Sequence, residues 1–237
     1  MKAFITILAL ISLASFCLGQ QINKATYAQG LKGLTSPYYR STGYRLEKGG
    51  DQNGCDMQKC VKGHRTATIY KATYADGSSV KICACEQPVM DVHYVATKFG
   101  VVPKQVRQYT NYITIASADS NLNCAAYSTG ASSTYCMRNM DTEVFIHESA
   151  HNFDFRGFGG NRASGQAKWH QAINKDSCVP DGYAKTNDIE DFAQVLVLYM
   201  SVAAKGTRID CMRNQLAVME SFLPRDKLHA NMIPRKH

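Results

Sequence analysis

Hydrophobic and polar positions change their period along this chain, and each change marks an element. From Thr66 to Cys85 two β-prone runs, TATIYKATY and SSVKICAC, flank Ala75-Asp76-Gly77-Ser78. An Asp-Gly pair between such runs predicts a hairpin, because it accepts the twisted backbone of a tight turn. Val89 to Phe99 spaces apolar residues three and four apart and stops at Gly100, which predicts a helix. Tyr112 to Ser117, YITIAS, is a short strand rich in β-branched residues. The stretch between Cys124 and Cys136 carries no period and reads as a loop. Three helices are predicted after it, at about Thr142 to Asp154, Asp188 to Ala204 and Asp210 to Phe222. The first follows Asp141, a good N-cap, and stops before Gly157, Gly159 and Gly160. Strands early and helices late place the fold in the α+β class.

The amino terminus follows a different logic. MKAFITILALISLASFCLGQ has one early lysine, an apolar run and a small-residue cleavage site, so residues 1–19 read as a signal peptide and the protein as secreted and extracellular. Residues 20–63 are rich in Gly, Tyr and Lys with little periodicity, as in an N-terminal arm or a removable propeptide. Residues 64–237 are expected to form the main domain, the one that carries the candidate chemistry. Of the nine cysteines, removal of Cys17 leaves eight, an even number in an exported chain, which predicts four disulfides. Local pairing would join Cys124 to Cys136 and Cys178 to Cys211, although many other connectivities are open. The formal net charge is +8. Its positive residues are scattered rather than gathered into a stripe, so nucleic acid is not an expected partner. After the signal no segment is apolar enough to suggest a membrane span.

The segment VFIHESAHNFD holds the candidate chemistry. His147 and His151 stand one helical turn apart, on one face, where two neutral imidazoles can address a single zinc ion. Glu148 between them can reach a metal-bound water without occupying the metal, the position of a general base. A catalytic zinc needs a third protein ligand. The places where metzincins carry a glycine and then that ligand hold Asp154 and Gly157 here, so the metzincin class is excluded. Asp154 lies on the histidine face, either supporting an imidazole or ending the helix.

The pattern Tyr183-Ala184-Lys185-Thr186-Asn187-Asp188-Ile189-Glu190-Asp191-Phe192-Ala193 resembles the gluzincins related to anthrax lethal factor and the Pro-Pro endopeptidases. In that family a Tyr precedes, at this spacing, a Glu that opens a helix reading E-x-F-A-E. The resemblance implies Glu190 as third zinc ligand and Tyr183 as oxyanion donor, with Gln194 replacing the family's second acid. It covers about Asp141 to Leu198. Two readings compete on the residues themselves. Asn187 through Glu190 also forms a capping box, and Asp181 beside Gly182-Tyr183 is the ligand an aspzincin would use.

These expectations combine into a zincin-like α+β fold, with a small sheet, an edge strand (YITIAS) over the histidine helix and a helical C-terminal half. The implied function is a monomeric secreted zinc endopeptidase, a hydrolase with one catalytic Zn2+ and a peptide or protein substrate. The alternatives are a secreted disulfide-rich binding module or effector with structural or no zinc, and an aspzincin-type peptidase using Asp181.

Overall fold

The computed structural model describes residues 21–228, apart from 28, 30, 32–38, 61–64 and 119–123. The expected signal peptide lies outside the described residues. In chain order the first elements are β1 (Ala25–Thr26), β2 (Tyr44–Lys48), β3 (Ala67–Tyr74), β4 (Ser79–Cys85), α1 (Val92–Phe99), α2 (Lys104–Arg107) and β5 (Tyr112–Ile115). There follow β6 (Ala126–Ser128), β7 (Ser132–Tyr135), α3 (Thr142–Arg156), α4 (Ala167–Lys175), β8 (Cys178–Val179), α5 (Asp188–Lys205) and α6 (Arg213–Phe222). The fold is α+β, built on one mixed sheet of order β2-β3-β4-β5-β7-β6. A second, minimal sheet pairs β1 with β8 in parallel.

The predicted hairpin is β3–β4, with Gly77 at φ +82° in its turn. The predicted strand YITI is β5, but it is not an edge. It runs parallel to β4 on one side and to β7 on the other, and the sheet ends at β6. The segment between Cys124 and Cys136, expected to be a loop, supplies β6 and β7. Its run of Ala, Ser and Thr has no hydrophobic alternation, so the pairing is decided by β5 alongside it rather than by local preference.

Neighbouring residues on a strand face opposite sides, and the two faces of this sheet are covered differently. Ile82, Ala84, Ile113 and Ile115 join the helical core. Cys83, Cys85 and Thr114 face the other way, and all are buried. The segment around residues 51–60 covers them, through Cys55–Cys83, Cys60–Cys85 and the Asp56 amide donating to Thr114 Oγ1 at 2.9 Å. Two covalent bonds thus stand where a second hydrophobic layer would otherwise be needed.

The remaining bridges are Cys124–Cys136 and Cys178–Cys211. Cys178–Cys211 closes a separation of 33 residues and ties β8 to the turn before α6. Such a loop constrains the unfolded chain by about 4 kcal/mol. Cys178→Ser with Cys211→Ser is therefore expected to lower the melting temperature by roughly 8–15 °C in calorimetry. A drop of a degree or two would show that the bridge adds nothing to the packing already present.

α3 packs along α5 and against β6, with α1 and α2 also touching it. It runs two residues past its predicted end, and Gly157 closes it, where a Cβ would come within 2.7 Å of the Phe153 carbonyl oxygen. Asp141 occupies the N-cap position without a side-chain capping bond. α5 is capped by Asn187, which accepts from the amides of Ile189 and Glu190, and ends at Gly206 with φ +67°. α4 was not predicted. It buries Trp169 edge-on against Phe192, ring centroids 4.9 Å apart, while His170 turns outward to Asp188 at 3.1 Å. Among the described residues no helix is long and apolar enough to cross a membrane.

Candidate metal centre

Two elements meet at the candidate site. α3 presents His147 and His151 from successive turns, and the first turn of α5 presents Glu190 across the α3–α5 contact. His147 Nε2 and His151 Nε2 are 3.0 Å apart. Glu190 Oε2 lies 3.2 Å from each of them. A tetrahedral ion holding donors at about 2.0–2.1 Å separates them by roughly 3.3 Å. The three donor atoms therefore form a nearly equilateral triangle of the size one such ion requires. Among the described residues this is the one cluster of its kind.

Neighbouring groups of this cluster shift the ionisation of His147, Glu148 and Glu190. Burial opposes ionisation of Glu190, but hydrogen bonds from both imidazoles outweigh it and hold the carboxyl at about 2. His147 is raised, because Glu190 and Glu148 outweigh the burial that would lower it. Glu148 is raised, chiefly by burial, which the neighbouring imidazoles only partly offset.

Behind the triangle stands a chain of hydrogen bonds that fixes one imidazole. Asp181 Oδ2 accepts from Gln194 Nε2 at 2.9 Å, which orients the amide with its oxygen toward His147 Nδ1 at 3.2 Å. An amide oxygen only accepts, so Nδ1 carries a proton, and Nε2 is the ring nitrogen that faces the triangle. Asp181 Oδ1 takes the amides of Tyr183 and Ala184. Asp181, the rival third ligand, is thus spent on turn and support, while Glu190 occupies the triangle. Asn187 does cap α5, yet the Glu190 side chain turns to the imidazoles rather than back to the cap. Asp191 points into the α5–α6 contact and accepts from Gln215.

Glu148 is buried, and its Oε2 accepts from Ser128 Oγ of β6 at 2.8 Å. Tyr183 is 55 % exposed, with its ring 5.7 Å from that of His147. Asp154 does not reach an imidazole. It is fully buried, accepts from the Ser164 amide and hydroxyl at 2.7 and 2.8 Å, and pairs with Arg162 at 3.1 Å. Sequence reasoning missed Ser128 and Arg162 altogether. Gln194 had a readable signal, since it lies one turn after Glu190 on the same face of α5.

Two cavities open on this site. One, of about 300 Å³, is largely apolar and runs past Leu31, Ala125, Ala126 and Val144 to His147, Glu148 and Tyr183. The other, of about 160 Å³, is polar and runs past Ser128, His151, Glu190 and Arg162.

Fold and site together define a disulfide-stapled α+β protein with a helix-borne His-His-Glu cluster. The chain belongs to the Con-13 family of conidiation-specific proteins, whose model matches residues 29–225. It is similar to Conidiation-specific protein 13 of Neurospora crassa, 30 % identical over 157 residues, which are 62 % of this chain and 45 % of the relative. The chain therefore spans less than half the length of the curated relative it matches. No solved structure matches it significantly.

Membership of this family overturns the gluzincin and Pro-Pro endopeptidase resemblance, and with it the readings of zinc endopeptidase, protease and hydrolase. The resemblance rested on residues of one helix pair, about Asp141 to Leu198, whereas the Con-13 match spans nearly the whole described chain. The physical reason for the error is general. Two histidines and a glutamate specify where a cation can sit, and the same triangle serves proteins of quite different function.

Proposed function

We propose that this protein is a secreted, disulfide-stapled binding module that carries one zinc ion at His147, His151 and Glu190. The observation that carries the proposal is the triangle of donor atoms with sides of 3.0, 3.2 and 3.2 Å. Its mixed imidazole and carboxylate chemistry suits zinc. The layout, with α3 beneath a sheet whose edge is β6, is zincin-like in this reading.

Three protein donors leave a coordination position for an atom from outside the chain, and when bound the ion supplies a Lewis-acidic attachment point at the floor of the cleft. Glu148, steadied by Ser128, accepts a hydrogen bond from whatever occupies that position. Tyr183, at the mouth, donates one. Gln194, backed by Asp181, holds His147 in the tautomer that leaves Nε2 free. The ligand's specificity then comes from the cavity walls.

Metal analysis of the exported protein tests this reading. One zinc per chain is expected, removable by a chelator, and Glu148→Gln is expected to keep its full zinc content because Glu148 is outside the triangle. Wild-type protein that takes up no zinc when offered it would end the proposal. Loss of zinc in Glu148→Gln would mean that the donor set is misassigned.

A further inference from the structure

Arg162 is the one lysine or arginine among the residues lining the two cavities. It belongs to no regular element, yet it is held in place from two directions. Nη1 donates to the buried Asp154 Oδ2 at 3.1 Å, and the guanidinium lies 5.2 Å above the Phe155 ring. Asp154 is itself clamped by Ser164, and its carbonyl oxygen accepts from the Ala163 amide at 3.1 Å. The segment after α3 is thereby folded back so that Arg162 reaches the wall of the cavity that holds His151 and Glu190. Asp154 already has two neutral donors from Ser164, so it does not depend on Arg162 for its hydrogen bonds. The Arg162 side chain is 38 % exposed, and the remaining N–H groups of its guanidinium have no partner among the described residues.

A guanidinium with free donors, pre-positioned beside a cation site, is a two-point receptor for negative charge. We propose that this cavity binds a small dicarboxylic acid, one carboxylate completing the zinc coordination and the other forked by Arg162. The inference rests on the zinc reading above. Size favours a small acid, because about 160 Å³ is below the range of larger ligands. Charge favours carboxylates: Glu148 and Glu190 also line the cavity, and they repel the doubly charged end of a phosphate more than the single charge of a carboxylate. Ser128, Tyr127 and Tyr183 line the same walls.

The test uses the full exported chain with cobalt in place of zinc, so that visible absorption reports any donor entering the coordination sphere. Succinate, butyrate and inorganic phosphate are the probes. Succinate is expected to change the cobalt spectrum and to bind at least about tenfold more tightly than butyrate, the worth of one charge-assisted hydrogen bond. Arg162→Gln should keep its cobalt and bind succinate no better than butyrate. Arg162→Lys keeps the charge beside Asp154, controls for folding, and should retain only part of the preference. Undiminished succinate binding by cobalt-loaded Arg162→Gln overturns the dicarboxylate site and leaves the zinc reading standing. Phosphate binding as tightly as succinate overturns the carboxylate class. Failure of the wild-type chain to bind cobalt or zinc overturns both readings together.

Discussion

Replacing His151 with alanine is expected to lower zinc affinity by more than the 10–100-fold lost when an outer-shell partner is removed, that is by at least about 100-fold. The triangle has no spare donor. His147 and Glu190 alone would leave the ion with two protein ligands, and Glu148 is turned to Ser128. Competition against a chromophoric chelator measures the effect. Asp181→Ala provides the contrast, since Asp181 reaches the His147 imidazole through Gln194 rather than directly and should weaken zinc by no more than about tenfold. If the order were reversed, with Asp181→Ala the more damaging, the third donor would be Asp181 and the Glu190 assignment would fail. Glu190→Gln should resemble His151→Ala, because it removes the negative charge that offsets the cation.

The second large effect is on stability and involves none of the three residues of the candidate metal cluster. Arg107 of α2 is 1 % exposed. It donates to Ser78 Oγ at 3.1 Å and to the carbonyls of Gly100 and Val102 at 3.1 and 2.7 Å, pairs with Asp76, and covers the Tyr74 ring at 4.1 Å. One side chain thus bolts the β3–β4 turn to the junction of α1 and α2. Asp76→Ala would leave a buried cation without its counter-charge and is expected to cost about 3 kcal/mol in denaturant unfolding, the low end of the range for breaking a buried pair.

The pH dependence of that loss has a definite sign. Burial opposes ionisation of Asp76, but bonds from Ser78 and the charge of Arg107 prevail and hold its carboxyl below the ordinary value. A depressed carboxyl contributes stability that is fully present above its unfolded pKa, near about 3.9, and is lost as pH falls through the lower folded value. The gap between wild type and Asp76→Ala should therefore be widest near neutrality and should close in strong acid. A gap that persists unchanged at low pH would show that the mutation acts through packing rather than through the charge.

Several elements were legible because their signals are local. The hairpin announced itself through Asp76-Gly77 between β-branched runs, and α3, α5 and α6 through apolar spacing and their end residues. Glu190 was singled out only through the resemblance to a peptidase family, which the Con-13 match overturns; the structure sets its carboxylate beside both imidazoles. The misplaced edge strand has a structural cause. YITI is as hydrophobic as a buried strand should be, but only the pairing of Ser132–Tyr135 beside it shows that it is interior, and that segment carries no strand period of its own. α4 went unseen for a related reason: its apolar face is little more than Trp169, Ala172 and Ile173. Arg162 was invisible because nothing in a glycine-rich segment signals that a buried aspartate elsewhere will fold it back toward the cleft.

By itself the amino-acid order determined the eight cysteines available for bridging, the α+β succession and the pairing of two imidazoles on one helical face. All of these depend on residues near each other in the chain. Tertiary structure alone decided that Glu190 rather than Asp181 meets those imidazoles, that Gln194 orients one of them, that β6 forms the sheet edge, and that Arg162 lines the cleft. Each of those outcomes depends on how α3 and α5 cross and how the sheet closes over them, which is set by packing among residues distant in the chain.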